Sequence, residues 1–509
     1  MRRAIPLACA AAAACALAVS SQSPDDAAAG PLGIDKPNVV VVMTDDQTLR
    51  DLRQRHRGKP VMRYALKLIA AKGAEFKNAY AGYPLSCPSR MTFLTGRYAH
   101  NHRVTTNAKP GFNYCAGFFD REHTMPLALQ NAGYYTGHMG RYLNGYGYTG
   151  PKEYVPPGYD DWHAPVGKEP GTAAAFTGYY MNDDGVVTGR HEEYFTDRIN
   201  SQAVDFINTA PEPFFFHLAH RAPHEDSADP VGPAPAARHK GSLKKIPLPK
   251  PPSFDEKDIS DKPRFLRPAN RLKPKQKKVL RVRNQRRLES LRAVDEGIKR
   301  IFDALVATGR LGRTYVIFQS DNGFFRGEHR ITKGKTLAYE PSARIPLLIR
   351  GPGIRAGVKP KARVSNVDVA PTISALTGVA PTRPFDGTSL LPFAREPKRK
   401  SKRPLLIESY ALTIDESGKL AGAAFIPKRL QRYQAIRVGP YKYIRLLKTK
   451  EQELYNLKND PDEKRNLARN RRYRRVLTFF KRKLKRLARC KAAGCRKPLG
   501  KVPKADKPR

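Results

Sequence analysis

The sequence predicts an α/β fold: a large, mainly parallel or mixed sheet sandwiched by helices, followed by a smaller C-terminal α+β unit with an antiparallel sheet. Three observations predict it. The run Asn38 to Met43 is almost continuously valine, which is how a strand buried on both faces reads. Further apolar runs at Phe214 to Leu218 and Thr314 to Gln319 read the same way, and helical periodicity, as at Val61 to Lys72, supplies the crossovers of a parallel sheet. Beyond a boundary rich in Lys, Arg and Pro at Arg395 to Arg403, short strands at Leu405 to Ser409, Tyr433 to Val438 and Lys442 to Leu447 make a meander turned at Gly439-Pro440.

The elements follow in chain order. Arg2 and Arg3, the apolar run Ala4 to Val19 and the small residues Ala16-Leu17-Ala18 read as a secretory signal over residues 1–18. A lipid anchor at Cys15 fits poorly, because Ala12 to Ala14 make a weak lipobox. A flexible linker, 19–36, leads into a catalytic domain at 37–395, a C-terminal subdomain at 404–468 and a basic tail at 469–509. No other stretch is apolar enough to cross a bilayer, so the expectation is a secreted or envelope-associated protein. Cys9 and Cys15 leave with the signal, and four remaining cysteines in so long a chain are no disulfide framework. Cys490 and Cys495 are close enough to pair in an oxidising compartment.

Charge bounds the partners. Against 46 Asp+Glu stand 93 Lys+Arg, a formal charge of +47. Export makes nucleic acid a poor partner and leaves the anionic envelope or a sulfated polymer. Lys262 to Arg287 holds twelve Lys/Arg and no acid, and reads as a basic surface excursion before a helix from Leu288 to Leu305. Lys464 to Arg509 adds twenty Lys/Arg against Asp506 alone. The two segments carry 31 of the 47 net charges and read as additions to a moderately basic body.

The chemistry is expected at the carboxyl ends of the strands, where open α/β sheets place ligands. Asp45 and Asp46 end the first strand, and Asp321 and Asn322 follow the run Thr314 to Gln319. Four hard oxygen donors without His or Cys suit Ca²⁺, with Mg²⁺ second, better than Zn²⁺. Taken alone, Asp-Asp and Asp-Asn-Gly are also ordinary turn formers. The segment Ser86-Cys87-Pro88-Ser89-Arg90 places Ser86 at the N-terminus of a helix, where an anion is favoured, with Arg90 one turn on. That too reads equally as a polar cap.

This segment, with Thr95-Gly96-Arg97 after it, resembles the signature of the sulfatase family, whose fold is alkaline phosphatase-like. Thr44-Asp45-Asp46-Gln47, Ala222-Pro223-His224, Ser320-Asp321-Asn322-Gly323, Gly334-Lys335, Tyr339-Glu340, Leu454-Tyr455-Asn456-Leu457 and Asp460-Pro461 match in order, so the resemblance runs from about Pro37 to Leu467. "GRYAHNH", "GRYLNGYG" and "PPGYDDWH" are most similar to the N-acetylglucosamine-6-sulfatase-like branch. The resemblance implies Ca²⁺ held by Asp45, Asp46, Asp321 and Asn322 with residue 86, and formylglycine formed from Ser86 as the catalytic nucleophile. It implies Arg90 supporting that group, and Lys335 and His224 contacting sulfate and assisting the leaving group.

Two departures carry consequences. Serine at 86, with Cys87 out of register, requires a serine-type maturating enzyme; an unconverted Ser86 would instead resemble the nucleophile of related phosphodiesterases and phosphomonoesterases. Arg141 stands where the family usually has Lys, keeping the charge but not the hydrogen-bond geometry. Leu143 takes the place of a family histidine, with Asn144 the nearest polar residue. A third reading is a degenerate homologue that binds polyanions. Substrate choice is expected in loops near 107–119, 146–163 and 226–262.

Overall fold

The structure, a computed structural model, describes residues 35–107, 115, 122–147, 151–167, 175–226, 229, 231–410 and 432–506. The expected signal, the Cys15 anchor, nearly all of the linker and much of the 107–119 loop lie outside these residues.

Among the described residues, nine strands form the main sheet: β1 (Asn38–Thr44), β2 (Ala74–Glu75), β3 (Tyr135–Gly140), β4 (Asp161–Val166), β5 (Tyr179–Asp183), β6 (Val186–His191), β7 (Phe214–Ala219), β8 (Thr314–Ser320) and β9 (Leu347–Arg350). Their order is β2-β9-β8-β1-β7-β3-β4-β5-β6. The five central strands, β8 to β4, are parallel, and antiparallel strands finish both edges. β1 lies between β7 and β8, which explains its valines: Val39 and Val41 enter one core layer, Val40 and Val42 the other, and all are buried.

Four antiparallel strands make the C-terminal sheet in sequence order: β10 (Leu405–Ser409), β11 (Tyr433–Val438), β12 (Tyr441–Leu446) and β13 (Gln452–Asn456). The predicted hairpin is present, and β13 is a strand that the sequence reading took only as a motif. One face, with Leu405, Ile407 and Ala435, packs on Leu337 and Tyr339 of the preceding unit.

Lys262 to Arg287 is only in part the surface excursion expected: Arg264, Arg271, Lys273, Lys275, Lys278 and Arg281 are exposed, but Lys262, Arg283 and Arg287 are buried. The helix expected from Leu288 starts at Pro274 and runs to Ala307, absorbing half of the basic run. Proline is preorganised for the first helical turn, and the Lys, Gln, Leu and Arg that follow are strong helix formers. Leu280, Arg283, Asn284 and Arg287 face inward from it, and Lys262 is fully buried. Nor does the basic tail hang free. Helix Arg474–Leu487 lays Val476, Phe480, Leu484 and Leu487 on the outer face of the C-terminal sheet, against Leu406, Ile436, Tyr443 and Leu454.

At the seam between the units, Glu453 on β13 accepts from the hydroxyls of Tyr339, at 2.6 Å, and Tyr455, at 2.5 Å. Burial pushes its carboxyl from 4.5 up to about 7. The folded chain therefore holds a proton that the unfolded chain releases, and stability drawn from this group falls as pH rises from 4.5 to 7. Glu453→Gln removes that fall. Relative to wild type, the variant is expected to gain about 3 kcal/mol between pH 4.5 and pH 8 in urea unfolding. A constant difference across that range would refute the assignment.

Candidate active site

Ser86 opens helix α1 (Ser86–Thr95), which starts at this residue, three earlier than a helix beginning at Ser89. α1 is buried throughout. Its anchor is Ser89, whose hydroxyl donates to the Asp321 carbonyl and accepts from the Asn366 side chain at 2.8 Å. The helix ends at Gly96 with φ of +63°, and a Cβ there would stand 2.4 Å from the Phe385 ring, which accounts for the glycine of Thr95-Gly96-Arg97.

The expected carboxylates converge around this N-terminus. Asp45 and Asp46 leave β1, Asp321 and Asn322 leave its neighbour β8, and the backbone N–H of Asp46 donates to Asp321 Oδ1 at 3.0 Å. Arg90 bridges the two strand ends, reaching Asp45 Oδ2 at 3.0 Å and Asp321 Oδ2 at 3.1 Å. It also donates to the Arg141 carbonyl at 2.5 Å, which fixes the turn after β3. Arg141 reaches Asp45 Oδ2 at 2.8 Å, so the arginine that replaces the usual lysine points into the cluster. Lys335 Nζ lies 2.7 Å from Ser86 Oγ and is paired with Asp46, while Ser86 Oγ lies 3.4 Å from Asp45 Oδ1. His224 Nε2 stands 3.9 Å from Asp46 Oδ2, and Nδ1 lies 3.0 Å from the Glu225 carbonyl. Every predicted site residue is therefore in one cluster.

Electrostatics separate these groups. Burial alone would raise the Asp45 carboxyl, but Arg141, His224, Arg90 and Lys335 reverse this and hold it far below its ordinary value. Burial, then the charge on Asp45, pushes Asp321 up to about 6. Burial lowers His224 below its ordinary value against the pull of Asp45 and Asp46. Its side chain keeps 24% exposure, an opening to solvent that the carboxylates lack.

A hard cation fits this donor set. The Asn322 side-chain oxygen is buried with no hydrogen-bond partner among the described residues, while its nitrogen donates to Asp46 Oδ1 at 2.5 Å. Asp45, Asp46 and His224 offer ligand atoms within 4.8 Å of one another. Carboxylate and amide oxygens predominate, as Ca²⁺ prefers.

Sequence reasoning missed the layer beneath. Fully buried Arg287 donates to the Asp46 carbonyl at 2.6 Å, the Pro223 carbonyl at 3.0 Å and Asp51 Oδ2 at 3.0 Å. Cys87 pairs with Cys115, and Cys490 with Cys495 as expected. Leu143 joins the core, and Asn144 is buried with its side-chain oxygen unpaired among the described residues. The branch motifs prove architectural. Tyr142 and Tyr146 of "GRYLNGYG" and Tyr159 of "PPGYDDWH" lie within 5.0–5.3 Å of the Trp162 ring, centroid to centroid.

Fold and constellation together define an alkaline phosphatase-like protein. Comparison gives the family: the Sulfatase profile matches residues 37–379, and the N-sulphoglucosamine sulphohydrolase C-terminal profile matches residues 327–490. The chain belongs to the sulfatase family. An arylsulfatase of Volvox carteri is 31% identical, over 91% of this chain and 76% of its own length. Human N-acetylglucosamine-6-sulfatase is 30% identical, over 71% of this chain and 65% of its own. The extracellular sulfatase SULF-1 homolog of Drosophila melanogaster is 31% identical over 79% of this chain, which spans only 35% of that protein. Among solved structures, BT4656 in complex with its substrate D-glucosamine-2-N,6-O-disulfate gives a TM-score of 0.69 at 24% identity, over 89% of this chain and 97% of that one. A phosphonate monoester hydrolase of Silicibacter pomeroyi gives 0.65 at 19% identity, over 89% and 95%. No helix among the described residues is long and apolar enough to cross a membrane.

Proposed function

We propose that the protein is an exported sulfatase that hydrolyses sulfate esters of sugars of the N-acetylglucosamine-6-sulfate kind, or aryl sulfates, with formylglycine formed from Ser86 by a serine-type maturating enzyme. The observation that carries the reading is Lys335 Nζ at 2.7 Å from Ser86 Oγ, at a helix N-terminus ringed by Asp45, Asp46, Asp321 and Asn322. Formylglycine at 86 would supply a hydrated aldehyde, one hydroxyl for displacement at sulfur and a second for release of sulfate. Asp45, Asp46, Asp321, Asn322 and residue 86 would hold Ca²⁺, which supplies positive charge to the sulfate oxygens.

The chain's own groups do the rest. Lys335 and Arg141 present charge to the sulfuryl oxygens as negative charge builds on them. His224, whose Nδ1–H is directed at the Glu225 carbonyl, turns Nε2 to the Asp46 side of the site; a sulfate anion bound there favours protonation of Nε2 from solvent, and that proton passes to the departing sugar oxygen. Arg90, donating to both Asp45 and Asp321, holds the two strand ends in register and keeps their carboxylates ionised. Buried Ser89 and Asn366 fix α1 so that residue 86 does not drift.

Mass spectrometry of the reduced, alkylated tryptic peptide Asn78 to Arg90 tests the reading. Formylglycine is expected, two hydrogens lighter than the seryl peptide. An intact serine in a preparation that turns over sulfate esters would sink it. A second reading rests on one observation: the Ser86 hydroxyl already lies beside an ammonium group, as an unmodified phosphoryl-transfer nucleophile needs. That reading requires turnover of aryl phosphates, and not aryl sulfates, by the serine form. Sulfate-ester hydrolysis lost in both Ser86→Ala and Asp321→Ala excludes a purely binding role.

A further inference from the structure

The tail helix Arg474–Leu487 is two-sided. Its apolar stripe, Val476, Phe480, Leu484 and Leu487, is sealed on the C-terminal sheet, where Phe480 lies 6.0 Å from the Tyr441 ring and 6.2 Å from that of Tyr443. Arg474, Arg475, Lys481, Arg482, Lys485 and Arg486, with Arg489 just beyond, are all exposed. At 100° per residue these seven cations fall within a sector of roughly 140° and span about 22 Å along the axis. No acidic residue occurs between Glu463 and Asp506, and no carboxylate among the described residues makes an ion pair with any of the seven.

Nor is this array a loose arm. Beyond the helix, the Cys490–Cys495 disulfide closes a loop whose Cys490 carbonyl accepts from the Asn101 side chain at 2.9 Å and lies 2.9 Å from His100 Nε2. The Ala492 backbone N–H donates to Asp386 Oδ1 at 2.7 Å, and Asp386 Oδ2 accepts from the Tyr98 backbone N–H at 2.8 Å. Tyr98, His100 and Asn101 come two to five residues after Gly96, the end of the helix that begins at Ser86. The cations are thus clamped to the segment that continues the catalytic helix. Seven like charges held together on one face repel one another, an arrangement that becomes favourable when a polyanion lies along it. Fixing them in advance also lowers the ordering cost of binding.

We infer that the outer face of the tail helix is a docking surface for a linear sulfated polysaccharide, which the enzyme holds while hydrolysing its sulfate esters. The docking half stands on the array alone, and the hydrolysis half rests on the sulfatase reading. A flat lipid surface is a weaker fit, because the helix has spent its apolar face on the sheet and has none to insert into a membrane.

The test uses the full chain and the quadruple variant R482Q/K485Q/R486Q/R489Q, whose substitutions are all exposed and leave the buried stripe intact. On immobilised heparin, wild type is expected to elute at markedly higher NaCl than the variant, and heparin affinity in solution to fall at least tenfold in the variant. Both read-outs need no turnover, so they fail or succeed independently of the sulfatase reading. With a polymeric substrate the variant is expected to raise KM at least tenfold, while kcat/KM for a monosaccharide sulfate stays within twofold. Equal elution of the two proteins would overturn the inference. So would wild-type retention on polyglutamate as strong as on heparin, or co-sedimentation with phosphatidylglycerol vesicles without heparin binding. A circular-dichroism melt matched to wild type shows that the variant is folded.

Discussion

Lys335→Ala is expected to lower kcat/KM for a sulfate ester by about a thousandfold, with most of the loss in kcat. The ammonium group is 2.7 Å from Ser86 Oγ and lies against Asp46, so in the proposed mechanism it faces residue 86 as the nucleophile and the negative charge that would grow during transfer. Ser86 and the carboxylates around it are buried, and there a charge acts at lower effective dielectric than in water, so its removal is felt more strongly. Folding should change little. Lys335 is not a core residue, and Asp46 keeps Asn322 as a hydrogen-bond partner. The pairing of a large kinetic loss with a small shift in melting temperature is the expected signature, read by steady-state kinetics and calorimetry on one preparation. Lys335→Arg should recover only part of the rate, since a planar fork does not reproduce a point charge. A loss under tenfold in Lys335→Ala would remove Lys335 from the catalytic group. Arg141→Lys, by contrast, restores the residue usual in the family and is expected to stay within tenfold of wild type.

How much of this was legible depended on how local the signal was. The valine run of β1 and the chain order of the motifs needed no tertiary information, because burial on both faces leaves a one-dimensional mark and the carboxylate-bearing turns follow the strands directly. Ser86, Arg90, Lys335 and His224 were recoverable as a group through the family resemblance, whereas no spacing rule would bring residue 86 and residue 335 together. Charge was the misleading signal. Counting arginines cannot tell a solvated one from one whose guanidinium is met by carbonyls contributed from 64 or 241 residues away, as the partners of Arg287 are. The Arg474–Leu487 helix is different: Val476, Phe480, Leu484 and Leu487 recur at the spacing of an amphipathic helix, a pattern the sequence does carry, and the density of basic residues around them hides it. The Cys87–Cys115 pair joins residues 28 apart, a partner choice that sequence alone leaves open.

Arg287→Met is therefore expected to cost about 3–5 kcal/mol of stability, far outside the range of a surface substitution. The side chain has no exposed surface, and three oxygens depend on it: Asp51 Oδ2, the Asp46 carbonyl and the Pro223 carbonyl. Burial raises the Asp51 carboxyl, and Arg326 and Arg287 together bring it below its ordinary value. With Arg287 gone, the buried Asp51 carboxylate keeps Arg326 and the Thr48 backbone N–H, and the Asp46 and Pro223 carbonyls lose a donor. Methionine fills much of the same volume and keeps contact with the Phe324 ring, which now lies 4.8 Å from the guanidinium, so the loss reports polar chemistry and not a cavity. Activity should fall as well, by about tenfold in kcat at temperatures where the variant is folded, because the Asp46 carbonyl and the turn carrying His224 share this one donor. Urea unfolding and kinetics on the same samples separate the two effects. A stability loss under about 1 kcal/mol would mean that the 262–287 run is a solvated basic surface after all. A full loss of stability with unchanged kcat would confine Arg287 to holding the fold, and leave the placement of Asp46 and His224 to Arg90, Lys335 and the β1 and β8 strand ends.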